Sequence, residues 1–179
     1  MKHIIFVFLL ALANSSVVSK ENEQPLKISA QYHDGGYHKL WTFNIRENPE
    51  CDGGKVKFDH IGKARFAGSA LLSADDITEI RLKVLGSAFF TLPATIYPEE
   101  SDFHMEEYSL SICIRDKCHS VKLYGPRLIE KPSKNFEDYR IFMTAWNAVM
   151  KNTKVDNPPY LNYELISYEI KEKPDYDDY

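Results

Sequence analysis

Residues 107–124 read Glu107-Tyr108-Ser109-Leu110-Ser111-Ile112-Cys113-Ile114-Arg115-Asp116-Lys117-Cys118-His119-Ser120-Val121-Lys122-Leu123-Tyr124, and this stretch decides the fold class. Tyr108, Leu110, Ile112 and Ile114 alternate with Ser109, Ser111, Cys113 and Arg115. Past a polar turn, His119, Val121 and Leu123 alternate with Cys118, Ser120 and Lys122. Alternation of this kind marks half-buried strands. The pair therefore forms a hairpin with one apolar face and one polar face, and both cysteines lie on the polar one. Two registers keep the apolar faces matched. A turn at Arg115-Asp116 sets Cys113 opposite Cys118 and Leu110 opposite Val121, at a Cα separation of about 4.5 Å that suits a disulfide. A turn at Asp116-Lys117 makes the cysteines diagonal, with Cβ atoms about 7 Å apart, too far for a bridge. The first register and a Cys113–Cys118 bridge are the expectation, with Cys51 as the remaining free thiol. No C-x-x-C motif is present, so neither a thioredoxin-like site nor a zinc knuckle is supported.

Upstream, residues 26–46 read as another hairpin. Leu26, Ile28 and Ala30 alternate with polar residues, Asp34-Gly35-Gly36 turns the chain, and Tyr37, Lys39, Trp41, Phe43 and Ile45 share one face. Val56 and Phe58 begin a short strand, and Ala64-Arg65-Phe66 suits another. A helix follows. Ser73 is its N-cap, Asp75 and Asp76 occupy the first turn, and Leu72 with Ile77 forms a hydrophobic staple. Ile77, Ile80, Val84, Leu85 and Ala88 recur at helical spacing, and Gly86 marks the end. A second helix begins at Asn135 as its cap, with Glu137 and Asp138 in its first turn. Its stripe is Tyr139, Phe142, Met143, Trp146, Val149 and Met150.

The expected fold is α+β: an antiparallel β-sheet of two main hairpins with two helices packed on one face. The expected core is Trp41, Phe43, Ile77, Ile80, Val84, Phe89, Leu110, Ile112, Val121, Phe142, Met143 and Trp146. Residues 1–19 read as a signal peptide. Lys2 supplies its charge, Ile4 to Ala13 are apolar, and cleavage falls before Asn14 or Lys20. That run is shorter than the roughly 20 residues a membrane span needs. Residues 20–160 make a single α+β domain, and 161–179 hold a candidate edge strand over 161–170 and a disordered, acidic, Tyr-rich tail. The exported chain is expected in the periplasm or outside the cell, with no membrane span once the signal is removed.

The net charge is -4. From Glu164 onward there are six acids and two lysines, so the body is near neutral. No basic face is read from this balance, which disfavours nucleic acid as a partner.

The order strand, strand, turn-rich strand, capped helix, Phe-Phe, short loop, hairpin, helix resembles an uncharacterised family of small exported bacterial domains of unknown function. The likeness covers about residues 37–150. It is carried by Lys55-Val56-Lys57-Phe58, by Ser73 to Phe90, and by the hairpin Leu110 to Leu123 turning at Arg115-Asp116-Lys117. Such proteins often carry a Cys-Gly-x-Cys-Pro-like stretch in the first hairpin. Here the chain reads His33-Asp34-Gly35-Gly36-Tyr37, so no role of those cysteines carries over. The resemblance implies a fold class and export, and no activity.

Candidate chemistry is sparse. His33 and His38 flank a turn beside Asp34, but zinc needs three or four convergent ligands. His119, on the apolar face of its hairpin, reads as a buried histidine with one hydrogen-bond partner. Cys118 and His119 are strand neighbours pointing to opposite faces, so they form no dyad. The carboxylate pairs Asp75/Asp76, Glu99/Glu100 and Glu106/Glu107 read as exposed, which does not suit acid–base catalysis. No catalytic residue, metal site or cofactor is expected. Loop 93–107 is the candidate contact surface, with binding residues Tyr97, Glu99, Glu100, Asp102, Phe103 and His104: aromatic side chains among acids suit protein recognition. The alternative is that Ile96, Tyr97 and Phe103 tuck into the core. The function expected is an exported module that binds another, unknown protein, such as an inhibitor or immunity-type protein. The alternatives are an enzyme with a dispersed site and a structural domain of the cell envelope.

Overall fold

Ile28 and Ala30 alternate with Lys27 and Ser29 along β1 (Lys27–His33), and this strand occupies the centre of the sheet. The computed structural model describes residues 24–36, 39–50, 53–62, 65–99, 105–129, 133–156, 158–159 and 161. Within them, β1 pairs on one side with β2 (Leu40–Asn48) and on the other with β6 (Glu107–Ile114). β2 pairs with β3 (Gly53–Ile61), and β3 with β4 (Phe66–Leu72). β6 pairs with β7 (Lys117–Tyr124), which takes the two-residue β5 (Thr95–Ile96) in parallel. The seven-stranded order is β4-β3-β2-β1-β6-β7-β5, with every other pairing antiparallel. Both expected hairpins are present, but the sheet is wider and mixed. β3 is nine residues long rather than short, and β4 runs on to Leu72.

Register builds the core. Ile28 faces Ile45 and Ile112 on its two neighbours, Ala30 faces Phe43 and Leu110, and Ile45 faces Val56. These side chains are buried with Ile77, Ile80 and Val84 of α1 (Ala74–Gly86) and with Tyr139, Phe142 and Trp146 of α2 (Lys134–Asn152). Both helices thus cover the same face. α1 lies so close to β3 that a Cβ on Gly54 would come within 2.9 Å of Ile77 Cδ1.

α1 starts as its sequence dictates. The Ser73 hydroxyl accepts from the Asp76 N–H, and the Asp76 carboxylate accepts from the Ser73 N–H at 2.8 Å, a capping box. The helix ends at Gly86. Leu85 and Ala88 fall outside its buried stripe: Leu85 is exposed, and Ala88 takes a φ of 61° in the turn beyond. α2 begins two residues earlier than expected, with Ser133 as N-cap. Asn135 does not cap it. Its amide instead donates to the Tyr97 carbonyl at 2.7 Å, tying the loop after β5 to the helix. The whole expected core is buried except Trp41, which is half-buried against it.

At the C-terminal side of α2, the Trp146 indole donates to the Pro159 carbonyl. Asn147 both donates to the Leu161 carbonyl and accepts from its N–H. The expected signal peptide, and the expected strand at 161–170 save for Leu161, lie outside the described residues. No described helix is long and apolar enough to cross a membrane.

Candidate functional site

The face of the sheet that carries no helix is polar, and the register places its side chains in rows. One row runs Cys118, Cys113, Lys27, Arg46, Lys55, Leu71 across β7, β6, β1, β2, β3 and β4. The next runs Ser120, Ser111, Ser29, Asn44, Lys57, Ser69. At the opposite end lie Tyr124, Glu107, His33, Leu40 and Ile61. Cys113 and Cys118 are bonded directly across the hairpin, with Cα atoms 4.1 Å apart. The turn is the Arg115-Asp116 one, with Arg115 at a φ of 57°. Next to the bridge the Ser120 hydroxyl donates to Ser111 at 2.8 Å.

Among the described residues no strand lies beyond β4. Its sequence, Phe66-Ala67-Gly68-Ser69-Ala70-Leu71-Leu72, holds neither charge nor proline. Leu71 is 80% exposed and Phe66 44%. Phe66 also closes an aromatic group on the helix-side face: its ring meets Trp41 edge-on at 5.3 Å and His60 at 4.7 Å. Gly68 leaves the space into which the Phe58 ring packs; a Cβ there would come within 2.6 Å of it.

Loop 93–107 divides between the two readings. Ile96 is buried. Tyr97 is 51% exposed and stacks flat on Tyr124, ring centres 4.8 Å apart. Glu99 is exposed. Glu100, Asp102, Phe103 and His104 lie outside the described residues. The loop returns through Met105, whose sulfur lies against Gly125.

Two of the carboxylates expected at the surface are not there. Glu106 is largely buried beside Arg127, at 2.9 Å. Burial pushes its carboxyl above the ordinary range, Arg127 opposes this, and Asp34 adds to it. Burial, with the negative charges of Glu106 and Asp34, pushes the Tyr32 hydroxyl up to about 12. Burial and Glu106 push Tyr108, whose ring lies 4.7 Å from that of Tyr32, up as well. Asp76 is buried too. Burial works against its charge, but Lys154 at 2.7 Å and the Ser73 N–H and hydroxyl outweigh it and hold the carboxyl below its usual value. Glu107 is half-buried. The hydrogen bonds from Lys122 and Ser109 outweigh the burial cost there.

His119 behaves as its register implies, half-buried against Phe89 with Nε2 2.9 Å from the Leu92 carbonyl. His33 Nδ1 accepts from the Gly35 N–H at 3.2 Å, while His38 lies outside the described residues. Among the described residues no three His, Cys, Asp or Glu side chains converge as a metal cage would require.

These features define an α+β protein with one helix-covered face, one bare polar face and one undefended sheet edge. No protein-family model matches the chain, and no curated protein matches it. The sequence reading missed two features, the β4 edge and the cations of the first row. The composition signal of a near-neutral body hides the latter, because Lys27, Arg46 and Lys55 come from three strands and meet only through register.

Proposed function

We propose that the chain is an exported, non-enzymatic module that binds another protein by accepting an extended segment of it along β4. One observation carries this reading: Phe66–Leu72 is a seven-residue edge strand with no charge, no proline and an 80% exposed leucine. A free edge offers unpaired backbone N–H and C=O groups, and proteins ordinarily blunt such edges with charges, prolines or bulges. An undefended one is the surface that strand addition uses, with backbone hydrogen bonds giving affinity and alternate side chains giving selectivity. Leu71 on one face and Phe66 on the other would supply those side-chain contacts. The stacked Tyr97–Tyr124 pair at the opposite border is a rigid, half-exposed aromatic surface of the type found in interface anchors. An inhibitor or immunity-type role fits such a module, as does the resemblance to small exported domains. The Cys113–Cys118 bridge fits an oxidising destination.

The test is a photo-crosslinking residue placed at Ser69 in the producing cells, followed by mass-spectrometric identification and reconstitution from purified components. Leu71→Lys or Ser69→Lys should weaken binding about tenfold or more, because a charge on the edge opposes strand addition. Melting should barely move, since these side chains are exposed. A purified partner that binds both variants as tightly as the parent chain would contradict the reading.

A second reading, an enzyme with a dispersed site, is favoured by the burial of Glu106 beside Tyr32 and Tyr108. A carboxyl raised by burial next to hydroxyls is an arrangement that acid–base chemistry uses.

A further inference from the structure

Lys27, Arg46 and Lys55 stand directly opposite one another on β1, β2 and β3, and Lys57 lies one row further along β3. All four are exposed, and none has an ion-pair partner among the described residues. Like charges placed directly opposite in a sheet destabilise it. Three in one row is therefore an arrangement that folding alone disfavours. Arg46, Lys55 and Lys57 border a groove of about 480 Å³ lined also by Asn44, Asn48 and Pro49, and Lys27 continues the row beyond it on β1. Among the described residues the one acid lining this groove, Glu47, is already engaged: its carboxylate accepts from Arg81 of α1 and from the Leu26 N–H at 2.7 Å. The row starts at the Cys113–Cys118 bridge, which fixes the strand next to Lys27.

We propose that this row is an anion site for a free chain bearing two or more phosphate groups, lying across β1, β2 and β3. Neighbouring strands are about 4.8 Å apart, so the three cations span about 10 Å, enough to meet successive phosphates along a chain. Arg46 at the centre presents a planar fork suited to phosphate oxygens, and the lysines act as point charges on either side. A membrane surface is the less favoured source of the same chemistry. Ser29, Asn44 and Ser69 surround the row, and within the row itself Leu71 is the apolar side chain available for insertion. The site is independent of strand addition at β4, so either can fail alone.

The experiment titrates the full chain with inorganic tripolyphosphate by calorimetry at two salt concentrations, with melting temperature measured alongside. Vesicles containing anionic lipid form a parallel arm. The expected result is binding that weakens steeply with salt. Arg46→Thr and Lys55→Thr should each weaken it about tenfold, while Lys83→Ser on α1 leaves it unchanged. Both threonine variants should melt at a higher temperature than the parent chain without ligand, because a cross-strand repulsion is gone. They should also lose the rise in melting temperature that tripolyphosphate gives the parent. No binding at low salt, equal binding by the threonine variants, or binding to vesicles without binding to tripolyphosphate would each overturn the proposal.

Discussion

Asp76 sits where α1 begins, and its carboxylate holds the Ser73 N–H, the Ser73 hydroxyl and the Lys154 ammonium at once. The sequence reading placed it in the first turn for its charge alone, but the structure gives it a buried capping role that also joins α1 to the chain beyond α2. Its carboxyl is held below the ordinary 3.8. Its contribution to stability is therefore complete above that unfolded-state value and is lost as pH falls below it, through the lower folded value. Asp76→Asn should cost about 1–2 kcal/mol at pH 7, and the gap to the parent chain should close as acid melts approach pH 2. A gap of the same size at pH 7 and pH 2 would show that the charge is idle. Single residues were legible where local rules govern them: Ser73 as a cap, and His119 as a histidine with one hydrogen-bond partner, though it is half-buried where a buried one was expected. Asn135 and Glu106 were not, because their partners, the Tyr97 carbonyl and Arg127, are distant in sequence.

Elements were legible where their own pattern was strong. Of the two registers that matched apolar faces allow, hairpin β6–β7 folds in the one that suits a bridge, with Cys113 opposite Cys118. The bridge closes a very short loop, so its expected contribution is modest, about 2 kcal/mol. Non-reducing peptide maps of protein taken from the export compartment should show Cys113 joined to Cys118, Cys51 open to alkylation, and an N-terminus near Asn14 or Lys20. A bridge involving Cys51, or three reactive thiols, would contradict the pairing, and a chain still beginning at Met1 would contradict the export. β4 was largely missed beyond Phe66 because Ala67, Gly68, Ser69 and Ala70 have neither alternation nor strong strand preference. They are extended because β3 offers a ladder to pair with, which is tertiary context overriding propensity. The helix ends were read to within a few residues, as frayed boundaries allow.

For the whole molecule, the α+β class and the one-sided placement of the helices follow from patterns each segment carries by itself. What no single segment carries is the width of the sheet, the cation row and the open edge. These arise from strand order, and strand order from contacts between residues far apart in the chain. Among the described residues the same strand order leaves β4 unpaired on one side while β1 and β6 are flanked on both. Hydrogen exchange read residue by residue, with and without the crosslinked partner in purified form, tests this asymmetry most directly. The account predicts that amides of Phe66–Leu72 exchange readily in the free chain and become protected in the complex, while those of β1 and β6 are protected in both. Protection that appears around Tyr97 and Tyr124 instead, with β4 unchanged, would contradict it.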